Sequence, residues 1–263
     1  MNDVSRVVPP PPGQADPAPS APWGVGATLG LGLVIALGFV LAQIVAGIAF
    51  TFLAMATGHE EIMGVGNNLA ENGLFVALTT CGAAPVGIGM TCLFAWLRRG
   101  ISIRDYLGLK SVPGKEFVCW GIALLVFAVL SDGLTALLGR PIVPDVVLVS
   151  YKTAVFPPLL WLAVVFLAPL NEEIFFRGFL FAGLSRSRLG GWGAILLTSV
   201  LWSVIHLQYD YYGVGTIFVS GLLFGYARLK TNSIAPTILM HALMNLVTTI
   251  QVALLIRFAG GVN

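Results

Sequence analysis

The chain has 263 residues, of which 57% are hydrophobic and only 10% charged, with a mean hydropathy of +0.90. Water-soluble domains carry roughly a quarter charged residues, so the composition excludes a soluble globular protein and points to an integral membrane protein. The formal net charge of +2 says little about partners, and the informative quantity is where the positive charges lie.

Residues 1–22 contain Pro9, Pro10, Pro11 and Pro12 with further Pro, Ala, Ser and Gln, and no apolar periodicity. They read as a disordered, extended tail. The first apolar run, 27–57, is too long for a secretory signal and no Lys/Arg cluster precedes it. Spanning a bilayer takes about 20 apolar residues per helix. Seven segments qualify as candidates: 27–57, 73–97, 117–139, 157–184, 192–207, 214–229 and 233–257. The fifth and sixth are short, and the first and fourth are long enough to be tilted or broken. No segment between them is long enough for a second domain, so 23–263 reads as a single transmembrane domain. Cys81, Cys92 and Cys119 lie in apolar stretches without metal-ligand spacing and read as small buried hydrophobes.

The basic residues favour one orientation. With the N-terminus inside, the inner segments hold ten: Arg6, Arg98, Arg99, Arg104, Lys110, Lys115, Arg186, Arg188, Arg228 and Lys230. The outer segments hold three, Arg140, Lys152 and Arg257, while Arg177 lies inside a span. A cytoplasmic N-terminus and a C-terminus on the far side follow.

Asn171-Glu-Glu-Ile-Phe-Phe-Arg177 breaks the apolar pattern. Ionisable groups at bilayer depth are expensive and normally face a protein interior or a wet cavity. Glu173 and Arg177 are four apart, stack on one helix face and suit an ion pair. Glu172 points about 100° away from Glu173 and is left free to face a cavity as a general base. His206 closes the fifth span, and His241 and Asn245 lie four apart in the last. Counted from the basic loops at about 1.5 Å per residue, Glu172 and His206 lie about 21 Å in, His241 about 17 Å and Asn245 about 22 Å. Four polar groups on three helices thus reach a similar level. Taken singly, each has a plainer reading that carries less weight: Glu172 bonded to a neighbouring helix, His206 as an interfacial histidine, and His241 with Asn245 as helix-to-helix glue. Asp132 reads as a helix-packing or rim residue, and Asp210 with Tyr209, Tyr211 and Tyr212 as part of an interfacial aromatic belt.

Glu172-Glu173 with Arg177, Trp202 four before His206, and His241 four before Asn245 together resemble the CAAX-protease and bacteriocin-processing family of intramembrane proteases. These are the Abi, or type II CAAX prenyl endopeptidase-like, proteins, and the resemblance covers about 161–255. It implies an all-α polytopic bundle of seven to eight membrane helices around an internal polar cavity. It further implies that Glu172 activates water, His206 holds and polarises it, His241 and Asn245 stabilise the oxyanion, and Glu173 with Arg177 braces the motif. Trp202 stands where the family typically has Phe. If zinc is used, Glu172, His206 and His241 are the ligands, but there is no His-Glu-x-x-His. A metal-free glutamate mechanism without a cofactor is therefore preferred. The expected partners are the bilayer and a peptide or protein substrate, with no nucleic acid, and the expected site is a bacterial inner membrane. A non-catalytic scaffold or bacteriocin-immunity-type protein of the same fold is the alternative. A proton-coupled transporter is disfavoured because no repeated halves are evident.

Overall fold

The computed structural model describes residues 21–58 and 69–259, which leaves nearly all of the expected 1–22 tail outside the described residues. The elements are all helical, with no strand among the described residues. In chain order they are α1 (Val25–Ala56), α2 (Gly73–Leu97), α3 (Ile103–Leu107), α4 (Gly114–Leu137), α5 (Asp145–Lys152), α6 (Pro157–Ser185), α7 (Gly190–Val204), α8 (Tyr211–Thr231) and α9 (Ala235–Ala259).

All seven expected spans are helical, but only α1, α2, α4, α6 and α9 are long and apolar enough to cross a membrane by length and composition. The shortfall has a local cause in each of the other two. Helix α7 stops after 15 residues at Val204, so His206 lies in the turn beyond it rather than inside a span. Helix α8, at 21 residues, mixes Tyr, Gly, Thr and Ser among its apolar positions. Side chains set several of the helix starts. The Asn72 amide oxygen accepts from the Phe75 amide at 2.9 Å to begin α2, and the Asp210 carboxylate accepts from the Gly213 amide at 2.8 Å to begin α8. Gly108, at φ 70°, ends α3 in the left-handed region that glycine adopts at no steric cost.

The outer faces of α1 and α4 are apolar and open: Leu33, Leu41, Ile48 and Phe52 on α1, and Val129 and Leu130 on α4, are all exposed. A soluble protein rarely shows apolar patches this large, whereas lipid covers them without cost. Helix α6 sits innermost, with 44% of its apolar window buried against 11% for α4. Its own Phe179 and Leu184 are buried against a core that includes Ile195, Trp202, Phe224 and Met240 of the later helices. Small residues allow the tight approach of α8 to α7, since a Cβ at Gly221 would lie 3.0 Å from that of Ser199. The three cysteines are free; Cys81 and Cys92 are half-buried, but Cys119 faces outward on α4 and so is not the buried hydrophobe expected.

Candidate active site

Helix α6 carries the carboxylate motif, and it is not uniformly α-helical. It widens into π-helical turns over Leu162–Leu167 and again over Ile174–Leu180. Such turns are frequent at functional sites because they re-aim side chains. The first of them has a traceable consequence. The Ala168 N–H reaches back five residues to the Ala163 carbonyl. The next bond of that ladder would run from residue 169 to the Val164 carbonyl, but residue 169 is proline and has no N–H. The donor comes instead from α9, whose Asn245 Nδ2 lies 2.7 Å from Val164 O.

Glu173 and Arg177 form the buried pair expected of their spacing: Nη1 to Oε1 is 2.9 Å, and both side chains are 0% exposed. Arg177 also donates from Nη2 to the Gly221 carbonyl at 3.4 Å, and its guanidinium carbon lies 4.5 Å from the Trp202 ring centre. A buried charge is tolerable only with such partners. Glu173 has a third partner that i,i+4 spacing could not disclose. Its Oε1 accepts from His241 Nδ1 at 3.0 Å, tying α6 to α9.

That bond fixes the His241 ring with Nε2 turned toward Glu172, 4.0 Å from Oε2. Glu172 is itself held, because its Oε2 accepts from Trp202 Nε1 on α7 at 2.5 Å. One turn on, His206 Nδ1 lies 2.8 Å from the Trp202 carbonyl. A carbonyl only accepts, so Nδ1 carries a hydrogen and Nε2 is the nitrogen left unengaged. The Trp202 ring packs edge-on to both imidazoles, 5.3 Å from His206 and 5.1 Å from His241 between centres.

Glu172, His206, His241 and Asn245 all line one cavity of about 890 Å³, as do Trp202 and Tyr209. The four sequence candidates are therefore brought together, with Glu173 and Arg177 buried behind them. Among the described residues, no group of three or more His, Cys, Asp or Glu side chains is arranged to hold a metal ion. Each histidine has its Nδ1 engaged elsewhere, on Glu173 or on a backbone carbonyl. That leaves Nε2 as the nitrogen available on each ring, whether for a metal ion or for a hydrogen bond.

Three residues carry more than their sequence reading allowed. Trp202, read as an aromatic marker, is the hydrogen-bond donor to Glu172. Tyr209, read as part of an interfacial belt, faces the cavity, and burial together with the Glu172 charge pushes its phenol up to about 12, so it stays a neutral O–H. Arg228, counted as a loop cation, is buried in α8 and donates from Nε to the Arg177 carbonyl at 2.9 Å. Only Trp202 left a trace in the sequence, by standing where a Phe is usual.

Residues 154–247 match the family described as type II CAAX prenyl endopeptidase Rce1-like. The chain is also 27% identical over 165 residues to an Escherichia coli protein named "Uncharacterized 24.3 kDa protein", covering 58% of this chain and 70% of that one. No solved structure matches. The match and the apolar helices support an integral membrane protein of the CAAX-type intramembrane protease kind. The stretch from residue 154 to 247, which holds Glu172, His206, His241 and Asn245, is thus similar to the type II CAAX prenyl endopeptidase Rce1-like family.

Proposed function

We propose that the chain is an intramembrane endopeptidase that hydrolyses a peptide bond with water activated by Glu172, without a metal. The observation that carries this reading is the restraint on one oxygen of the Glu172 carboxylate, with His241 close by. Trp202 Nε1–H holds Oε2 at 2.5 Å, His241 Nε2 stands 4.0 Å away, and all three side chains face the same cavity. One Glu172 oxygen is thereby fixed, and the other is left for a water.

In the proposed reaction, Glu172 takes a proton from that water as its oxygen attacks the scissile carbonyl carbon. His206 accepts the water's other hydrogen at Nε2, the nitrogen left free by the Trp202 carbonyl, and so aims the attacking lone pair. The developing oxyanion takes hydrogen bonds from the second Asn245 Nδ2–H and, with His241 protonated, from its Nε2–H. The C–N bond then breaks, the leaving nitrogen receives the proton from Glu172, and the carboxylate is restored. Glu173 and Arg177 do not touch substrate in this scheme. They hold His241 and the wall of α6 in place.

The substrate is a peptide or the membrane-proximal part of a protein, reached through a largely apolar cavity. The test is cleavage of a peptide library by the purified chain in bilayers, with Glu172→Ala and His206→Ala beside it. Loss of cleavage in both variants supports the roles given; retention in both sinks them. Unchanged activity in excess chelator supports the metal-free route, and loss that zinc restores overturns it.

A further inference from the structure

Asp132 on α4 takes no part in the chemistry proposed above, yet it lines the same cavity. Its Oδ2 accepts from Gln251 Nε2 on α9 at 2.6 Å. Among the described residues no Lys, Arg or His forms an ion pair with it. The basic residue in the cavity wall, Arg140, is paired with Asp210 and lies over the Tyr212 ring, 4.8 Å from its centre. If the contact served only to join α4 to α9, a neutral amide or hydroxyl would do so at lower desolvation cost than a carboxylate. The Gln251 amide satisfies Oδ2 and leaves Oδ1 open to a guest.

We infer that Asp132 and Gln251 form a substrate subsite for a basic side chain, lying three to four residues from the bond that Glu172 cleaves. The spacing comes from α9. Gln251 is six residues beyond Asn245 and ten beyond His241, or about 9 and 15 Å along the helix at ~1.5 Å per residue. An extended peptide advances about 3.3 Å per residue, so that span covers three to four of its residues. Phe127 and Ala128, one turn before Asp132, and Val252 also line the cavity. They offer apolar wall to the methylene stem of Lys or Arg while its charged end reaches Oδ1.

This subsite rests on the proposed peptide hydrolysis, and binding separates the two. The full chain carrying Glu172→Gln, which needs no turnover, is placed in lipid nanodiscs. Ten-residue Ala/Leu peptides bearing one Lys, one norleucine or one Glu are titrated against it. The Lys peptide binds about tenfold or more tightly than its norleucine counterpart, the size expected of a hydrogen bond to a charged group. Adding Asp132→Asn brings that ratio close to one. Gln251→Lys, which places an amine against Asp132 and retains the α4–α9 contact as an ion pair, abolishes the preference too. A Lys preference that survives both substitutions, or no preference at the outset, overturns the subsite whatever the native chain cleaves. Failure of the native chain to cleave any bound peptide overturns the hydrolysis reading instead. In a cleaving chain, product masses place the cut three to four residues from the Lys; a cut adjacent to it contradicts the geometry.

Discussion

The Asn245 side chain donates to the Val164 carbonyl at 2.7 Å, filling a gap in the helical ladder that Pro169 creates. In the proposed scheme one side chain on α9 therefore joins two functions, closing the backbone of α6 and offering its second N–H to the oxyanion. These are separable. Asn245→Ala leaves a helical carbonyl without that donor and costs about 1–3 kcal/mol of stability. Pro169→Ala returns an N–H at the right register. The double variant Pro169→Ala/Asn245→Ala should regain much of the lost melting temperature yet stay as inactive as Asn245→Ala alone. Parallel recovery of activity would show that Asn245 acts only as a helix tie.

Trp202→Phe keeps an aromatic ring against His206 and His241 but deletes the hydrogen bond to Glu172. Losing a bond to a charged group is worth about 1.5–3 kcal/mol, so kcat should fall roughly 10- to 100-fold with little change in KM. Steady-state kinetics on one good peptide reads this directly. A kcat within twofold of native would mean that the 2.5 Å contact does not position the carboxylate.

Adjacent carboxylates should behave as opposites. Glu173→Gln strands Arg177 and His241 in a site with 0% exposure of the Arg177 side chain. Breaking one side of a buried pair costs about 3–5 kcal/mol, so this variant should melt at a much lower temperature. Glu172 is partly exposed to the cavity, and Glu172→Gln retains an acceptor for Trp202. It should keep nearly native stability and lose turnover. Thermal melts of the two variants, run side by side, decide the matter.

Alkaline stability offers a check away from the membrane spans. Burial pushes the Tyr106 phenol in α3 from 10.0 up to about 12. Between those values the unfolded chain has released a proton that the folded one still holds, so stability falls as pH rises through that window. The loss is about 3 kcal/mol once pH exceeds 12. Tyr106→Phe should flatten this part of the stability curve, measured by denaturant titration from pH 9 to 12. An unaltered slope would remove Tyr106 as its cause.

Hydropathy was enough to find seven helices, because lipid-facing and core-facing positions alike must be apolar. Helices α3 and α5 escaped because, at five and eight residues, they are too short for periodicity to register. The i,i+4 spacing disclosed Glu173 with Arg177, since those partners share a helix. It could not disclose His241 Nδ1 on Glu173 or Trp202 Nε1 on Glu172, where the partners lie 68 and 30 residues away in sequence. The polar roles of Trp202 and Tyr209 are masked by their own chemistry, as rings that read as apolar or interfacial while carrying a polar tip. The π-helical turns were illegible too, because Pro169 announces a missing donor but not the distant amide that replaces it.

The assignment of Glu172 as the base that activates water is tested most directly by one comparison in the same bilayer preparation. Native chain and Glu172→Gln are incubated with a cleavable peptide in excess chelator, and product is measured by mass spectrometry. Product from the native chain alone, with both proteins folded and binding peptide, is the expected result. Equal cleavage by the two proteins, or native cleavage that vanishes with chelator and returns with zinc, would contradict it.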